Sequence, residues 1–347
     1  MSASPGSVLV RVAADPEPWD DYVLRHPEAS AYHMFLWRDV IRRAFGHGTK
    51  YLIAERAGTI VGVLPLVFFR SRLFGRFAVS LPFLNYGGIL ADSAEAEDVL
   101  IAAGIQATRD AGGTYLELRH SRQHFPEMHA KRHKVAMEIA LQSTETGQWD
   151  AIDRKVRNQV RKAQKSGLRT VCGETELLPD FYAVFAHNMR DLGTPVYGLK
   201  WFEEVLRGLA GQSRLFVVYS GTRPVAAALA HWHRLTMAVP WASSIRAFSS
   251  QCPNVLLYWE MMRFAVERGL GRFDLGRSTP ATGTFHFKRE WGAEPRQLVW
   301  EYWSVDGRSM PNLSPANPSF STAIAVWSRL PISLTKIIGP SLVRNIP

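Results

Sequence analysis

From Trp149 to Leu168 the chain reads WDAIDRKVRNQVRKAQKSGL, and its apolar positions Ile152, Val156, Val160 and Ala163 recur at the spacing of one helical face. Arg154, Arg157, Arg161 and Lys165 repeat at the same spacing on another face. Asp150 and Asp153 fall where carboxylates suit the helix dipole, and Gly167 has the place of a left-handed C-cap. The pattern predicts one basic amphipathic helix. Its row of cations either binds phosphate or is a solvated face.

Elsewhere the apolar positions come in short runs, and their order occurs twice. Residues 35–69 give a short helix, an apolar strand, a turn at Ala57-Gly58 and a second strand. Residues 199–233 repeat this with a turn at Ser220-Gly221, and Trp37 aligns with Trp201. A helix and a strand follow each hairpin: 95–110 then 114–118, and 254–268 then 272–275, which aligns Glu117 with Asp274. Helix, hairpin, helix, strand, twice over, predicts a mixed α/β (α+β) protein of two similar halves. The predicted boundaries are 1–147 for the first half and 148–306 for the basic helix and second half. Residues 307–347 read as a linker punctuated by Pro311, Pro315 and Pro318, then an apolar, basic segment. That segment either docks across the core or lies on a membrane interface.

Residues 274–294, DLGRSTPATGTFHFKREWGAE, form a second segment with chemical content. Read as a strand, they put Phe285, Phe287 and Arg289 on one face and His286, Lys288 and Glu290 on the other. Lys288, set among aromatics, is either partly desolvated, so that its charge acts strongly on a nearby oxyanion, or a snorkelling surface residue.

Composition narrows the partners. Lys and Arg number 41 against 31 Asp and Glu, a net charge of +10, which favours nucleic acid, a phosphorylated or nucleotide-linked substrate, or an acidic membrane surface. Cys172 and Cys252 make neither a disulfide framework nor a metal cluster and suit a reducing compartment. The N-terminal residues lack the features of a signal peptide, and no apolar run reaches membrane-spanning length, so a soluble, cytoplasmic protein is expected. His120, His124, His129 and His133 are suggestively spaced, but Arg122, Lys131 and Arg132 surround them and no metal site is expected. No nucleophile elbow is present, which argues against a covalent enzyme intermediate.

The basic helix with Arg157-Asn158-Gln159-Val160-Arg161-Lys162-Ala163, the segments Pro253-Asn254-Val255-Leu256-Leu257 and Phe273-Asp274-Leu275-Gly276, and Phe287-Lys288-Arg289 together resemble the FemAB family. These are non-ribosomal aminoacyl and peptidyl transferases built from two GNAT-like acyltransferase halves. The nearest in look are the BioF2-like, FemAB-related acetyltransferases that accompany exosortase/PEP-CTERM exopolysaccharide clusters. The resemblance runs from about Tyr32 to Gly292. It implies two tandem GNAT-like domains and transfer of an acyl or aminoacyl group, from acyl-CoA or aminoacyl-tRNA, onto an amine of a cell-envelope or exopolysaccharide precursor. It gives Lys288, in the FK motif with Phe287, the role of stabilising charge. The transfer itself makes Asp274 and Glu290 candidate bases and His286 another proton acceptor, unless Asp274 ties down the turn after its strand and His286 is structural. A phosphorylated, nucleotide-linked or lipid-linked acceptor would meet Arg157, Asn158, Arg161 and Lys162, with Arg277 adding to the clamp. Tyr86, in the loop Leu84 to Ile89, either contacts the acceptor or packs in a turn. Asn254, Tyr258 and Trp291 complete the candidate contacts.

Two departures stand out. There is no coiled-coil arm, and so no arm-mediated tRNA contact is expected. Ser249 to Asn254 replaces the Gly-rich pyrophosphate turn of ordinary GNAT enzymes, with Ser250 or Asn254 expected to cap the helix that follows. The alternatives are a tRNA-dependent peptidoglycan-bridge aminoacyltransferase and a non-catalytic protein binding nucleic acid or another anion, with peripheral contact to the inner membrane open in each case.

Overall fold

The structure, a computed structural model, describes residues 6–71, 74–307 and 321–347; Pro311, Pro315 and Pro318 of the expected linker lie outside the described residues. The chain begins with β1 (Val8–Val12), α1 (Pro16–Arg25), α2 (Leu36–Phe45), β2 (Gly48–Arg56), β3 (Thr59–Ser71), β4 (Gly75–Val79), β5 (Leu90–Ala91), α3 (Ala94–Asp110), β6 (Tyr115–His120) and β7 (His129–Lys131). It continues with β8 (Val135–Ala140), α4 (Glu145–Ala151), α5 (Arg154–Lys165), β9 (Leu168–Gly173), α6 (Leu178–Asp191), α7 (Leu199–Gly208), β10 (Ser213–Ser220), β11 (Arg223–His233) and β12 (Thr236–Ser244). Last come α8 (Pro253–Glu267), β13 (Arg272–Ser278), α9 (Gly283–Glu290), β14 (Glu294–Gln297), β15 (Val299–Ser304), α10 (Ser321–Trp327) and α11 (Ile332–Val343).

Two sheets share one plan. The first has the order β1-β2-β3-β4-β6-β15-β7, with β5 on β3; the second has β9-β10-β11-β12-β13-β8-β14. In each, three antiparallel strands lead to a short parallel pair, β4 with β6 or β12 with β13, and then to an antiparallel neighbour. Val79 pairs with Glu117 and Ala238 with Asp274, so the two acidic residues aligned in sequence occupy equivalent registers. Both hairpin turns fall as expected, with Ala57, Gly58 and Gly221 at positive φ.

The chain divides into two units, but not at the boundaries read from sequence. The first unit runs to His133 and takes the chain back from Gln297; the second holds Lys134–Arg296 and the terminal helices. The first half thus ends before 147, and β15 leaves the second half before 306. The cause is strand placement: β15 occupies in the first sheet the position that β8 occupies in the second. A strand belongs to the sheet whose backbone groups it satisfies, whatever its place in sequence.

Alternation along the strands builds the cores. In the first unit Leu52, Ala54, Leu64 and Leu66 pack with Leu100 and Ala107 of α3, while Tyr51, Ile53 and Val63 pack with Trp19 and Val23 of α1. In the second unit Ile152, Val156, Val160 and Ala163 join the core formed by α8 and the sheet, as their spacing predicts. The helix predicted over Trp149 to Leu168 is in fact two. Ile152 is extended, and Asp153 starts a new helix as N-cap, its carboxylate accepting from the Lys155 N–H at 2.7 Å. Gly167, at φ +75°, follows α5 in the left-handed conformation expected. The terminal segment docks in the second unit: α11 lies on α6, with Lys336 Nζ 5.2 Å from the ring of Tyr182.

The returning strand is fastened by a buried carboxylate. Glu301, fully buried, accepts hydrogen bonds from His120 Nδ1 (2.6 Å), Phe125 N–H (2.7 Å) and His124 N–H (3.0 Å). His120 Nε2 accepts from Ile89 N–H at 3.1 Å, so its proton sits on Nδ1. Glu301→Ala strands two buried donors and a part-buried one, and we expect it to cost about 3 kcal/mol or more of unfolding free energy in urea titration. A loss under about 1 kcal/mol would show that β15 is held without this carboxylate.

Candidate functional site

In the second unit β12 and β13 pair in parallel at three positions only, Thr236 with Arg272, Met237 with Phe273 and Ala238 with Asp274. β12 runs on to Ser244 and β13 to Ser278, so the strands part beyond that point. The register of β13 against β8 slips between Asp274 and Arg277. Asp274, 1% exposed, braces this slip by accepting the Gly276 N–H on Oδ1 at 2.7 Å. Gly276 stands at φ +76°, which costs a residue without Cβ little. The carbonyls of Gly276 and Arg277 accept from Lys288 Nζ at 3.1 and 3.0 Å.

Lys288 comes from a helix, not from a strand. Gly283–Glu290 forms α9, with Thr282 as N-cap residue and its carbonyl accepting the His286 N–H. Each residue advances about 100° around a helix, so alternate residues do not share a face. His286 and Glu290 are exposed, and Glu290 pairs with Lys155 of α5 at 2.5 Å. The expected grouping of His286, Lys288 and Glu290 therefore does not form. Phe287 packs on Tyr258 (5.3 Å between ring centroids) and Trp291 (6.4 Å), while Lys288 points to β13. Lys288 is 7% exposed, and burial pushes its pKa down to about 8, against the pull of Asp274 and with help from Arg277. The ammonium carries three hydrogens, and the two carbonyls take two of them.

The other candidate residues divide into groups. Tyr258 and Trp291 are buried in the core under α9, so they support the helix instead of presenting a contact surface. Asn254 is half-buried in the first turn of α8. Neither it nor Ser250 caps that helix: Cys252, at φ +57°, is the N-cap residue, no side chain caps, and Pro253 takes the first helical position. On α5, Arg157 reaches Asp150 at 3.4 Å, and Arg161 lies 5.2 Å from the ring of Trp149 and donates to Asn158 Oδ1 at 3.2 Å. Arg154, Lys155, Asn158, Gln159 and Lys162 line an open groove of about 460 Å³. Arg154 belongs to the basic row read from the sequence but not to the residues that the resemblance sets against an acceptor. Its signal was its spacing, four and eight residues before Asn158 and Lys162.

Tyr86 lies in the first unit, 8% exposed and edge-on to Tyr32 at 5.1 Å, packed in its turn. Its loop fills the first unit's counterpart of the strand gap. Ser80 N–H donates to the Glu117 carbonyl, Gly87 N–H to that of Arg119, and Ile89 N–H to His120. The fit is close: a Cβ added at Gly88 would stand 1.8 Å from Cδ2 of His120. Glu117 braces no bulge but holds Arg119 at 2.7 Å. The four spaced histidines take separate partners: His120 meets Glu301, His124 meets Glu97, His129 lies by Tyr302 and His133 by Trp300. Among the described residues no group of His, Cys, Asp and Glu is arranged to hold a metal.

Residues 152–289 match the model of the acetyltransferase (GNAT) domain family. No curated protein matches the chain in sequence. Among solved structures the chain is similar to FemX, with a TM-score of 0.64 at 14% identity, over 84% of this chain and 96% of that one. It is also similar to the C-terminal domain of an Agrobacterium fabrum protein described as a lysylphosphatidylglycerol synthetase, with a TM-score of 0.56 at 14% identity, over 84% and 92% of the two chains. A tandem GNAT protein from the clavulanic acid biosynthesis pathway matches with a TM-score of 0.55 at 11% identity, over 88% of this chain and all (100%) of that one. Residues 152–289 thus match the GNAT acetyltransferase domain, and the chain as a whole has a fold similar to those of FemX and of a tandem GNAT protein, in keeping with the FemAB resemblance of its motifs.

Proposed function

We propose that the protein is an N-acyltransferase that moves an acyl or aminoacyl group onto an amine of a cell-envelope or exopolysaccharide precursor. The observation that carries this reading is Lys288, a desolvated cation fixed where β12 and β13 part, inside the region that matches the GNAT family. In the reaction the neutral amine attacks the acyl carbon, a C–N bond forms, and the bond to the leaving thiol or hydroxyl breaks. The nitrogen loses its proton and the leaving group gains one. Lys288 faces the carbonyl oxygen as it gains charge, and low polarity strengthens the interaction. Asp274 acts through Lys288: it holds the bulge that aims the two carbonyls, and so positions the ammonium.

The parting strands and the start of α8 suit an extended, phosphate-bearing donor, so acyl-CoA is the leading reading. Aminoacyl-tRNA is the second, favoured by the net charge of +10 and the FemX-like fold. The acceptor's phosphate would lie on α5, held by Arg154, Asn158 and Lys162 and flanked by Arg157 and Arg161, with Arg277 on β13 contributing from the same unit. The lysylphosphatidylglycerol synthetase domain is similar in fold, and a lipid-linked precursor is the acceptor class its name suggests.

Four measurements test this. Lys288→Met is expected to lower turnover about tenfold or more, read as thiol release from acetyl-CoA with an amine acceptor, while the melting temperature moves little. Because Lys288 must be protonated to meet an oxyanion, its contribution to kcat falls as pH rises through about 8, and the Met variant lacks that limb. A rise through pH 8 in the wild type alone would make Lys288 a base instead. Arg154→Ala with Lys162→Ala is expected to raise KM for a phosphorylated acceptor about tenfold and to flatten its salt dependence, whereas an unchanged KM marks the row as a solvated face. Competition between charged tRNA and acetyl-CoA separates the donors: preference for charged over uncharged tRNA selects aminoacyl transfer, and saturable CoA binding with charge-blind tRNA binding selects acyl-CoA.

A further inference from the structure

The helix α11 is inside out. The residues it buries against the second unit are small or polar: Thr335, Gly339 and Val343. Gly339 approaches so closely that a Cβ there would stand 2.9 Å from backbone atoms of Val196. Ile337 points away at 73% exposed, and Leu334, Ile338 and Leu342, each 38% exposed, stand on the same side of the helix. A helix packed for water alone has the opposite arrangement, and a contiguous apolar face of this kind marks an interaction surface.

Charge identifies the partner. Residues 321–347 contain Arg329, Lys336 and Arg344 and no Asp or Glu. Arg329 and Arg344 are exposed and flank the two ends of α11. An apolar face with cations at its ends matches an anionic bilayer surface, where aliphatics enter the acyl boundary and the basic groups reach lipid phosphates. A second copy fits less well, because a two-fold contact through this face sets like charges against each other. Among the described residues no helix is long and apolar enough to cross a membrane, so α11 would lie in the interface plane.

We infer that the outward face of α11 seats the protein on an anionic phospholipid membrane. This stands apart from the transfer chemistry, since none of its residues belongs to the Lys288 site. The test is co-sedimentation of the full chain with vesicles of phosphatidylcholine alone or of equimolar phosphatidylcholine and phosphatidylglycerol. Binding to the anionic vesicles is expected to exceed binding to the neutral ones by about tenfold or more. Leu334→Asp with Ile337→Asp should reduce it about tenfold or more, and Arg329→Gln with Arg344→Gln should reduce it at low salt. Both pairs are exposed, and an unchanged melting temperature confirms the fold; should the Asp pair melt early, Ile337→Ser replaces it. Three results overturn the inference: no sedimentation with anionic vesicles at low salt, equal sedimentation of wild type and the Asp pair, or a dimer in ultracentrifugation that Ile337→Asp dissociates while vesicle binding is absent. Loss of acetyl-CoA turnover in any of these proteins would bear on the transferase reading alone.

Discussion

Two strands that run parallel for three residues and then separate set the terms for the whole candidate site. Separation leaves backbone groups of β12 and β13 without each other as partners. On β13 the chain answers with a bulge at Gly276, braced by Asp274, that turns two successive carbonyls toward α9. Those carbonyls need a donor, and Lys288 supplies it. The need is mutual, because a buried ammonium is costly unless oxygens surround it. Strand, bulge and helix therefore fix one another, and the cation ends up desolvated at the gap.

The same scaffold occurs in the first half without that chemistry. Glu117 holds the register equivalent to Asp274, yet it pairs with Arg119. The loop from Ser80 to Ile89 occupies the counterpart of the gap and bonds to β6 along its length. Glu301, delivered by the returning strand, locks His120 behind that loop. The duplicated halves have diverged into one that is closed by its own chain and one in which the strands part beside a lysine.

Much of this was legible in the sequence, and particular residues show why. The α5 stripe at 156, 160 and 163 is local: its spacing needs only the helical period, and all three residues are buried. The hairpins were marked by their turn residues, and the repeat by Trp37 and Trp201, both buried in equivalent helices. Where local signals compete, reading fails. A short segment such as 283–290 fits a strand and a helix equally well, and the side chain of Asp153 broke a longer helical pattern by capping.

By itself the sequence determined the hairpins, the duplication and the basic face of α5, because each rests on periodicity or on turn residues over neighbouring positions, and it singled out Lys288 as a candidate through its motif resemblance. Only the tertiary structure decided that β8 and β15 leave their own halves, since strand pairing is settled by whichever edge satisfies the backbone, at any distance along the chain. It alone decided that Tyr258 and Trp291 are core, because burial depends on what folds over a residue. It also decided the state of Lys288, whose pKa is lowered by burial and by the charge of Arg277 against the pull of Asp274, a juxtaposition no local pattern encodes.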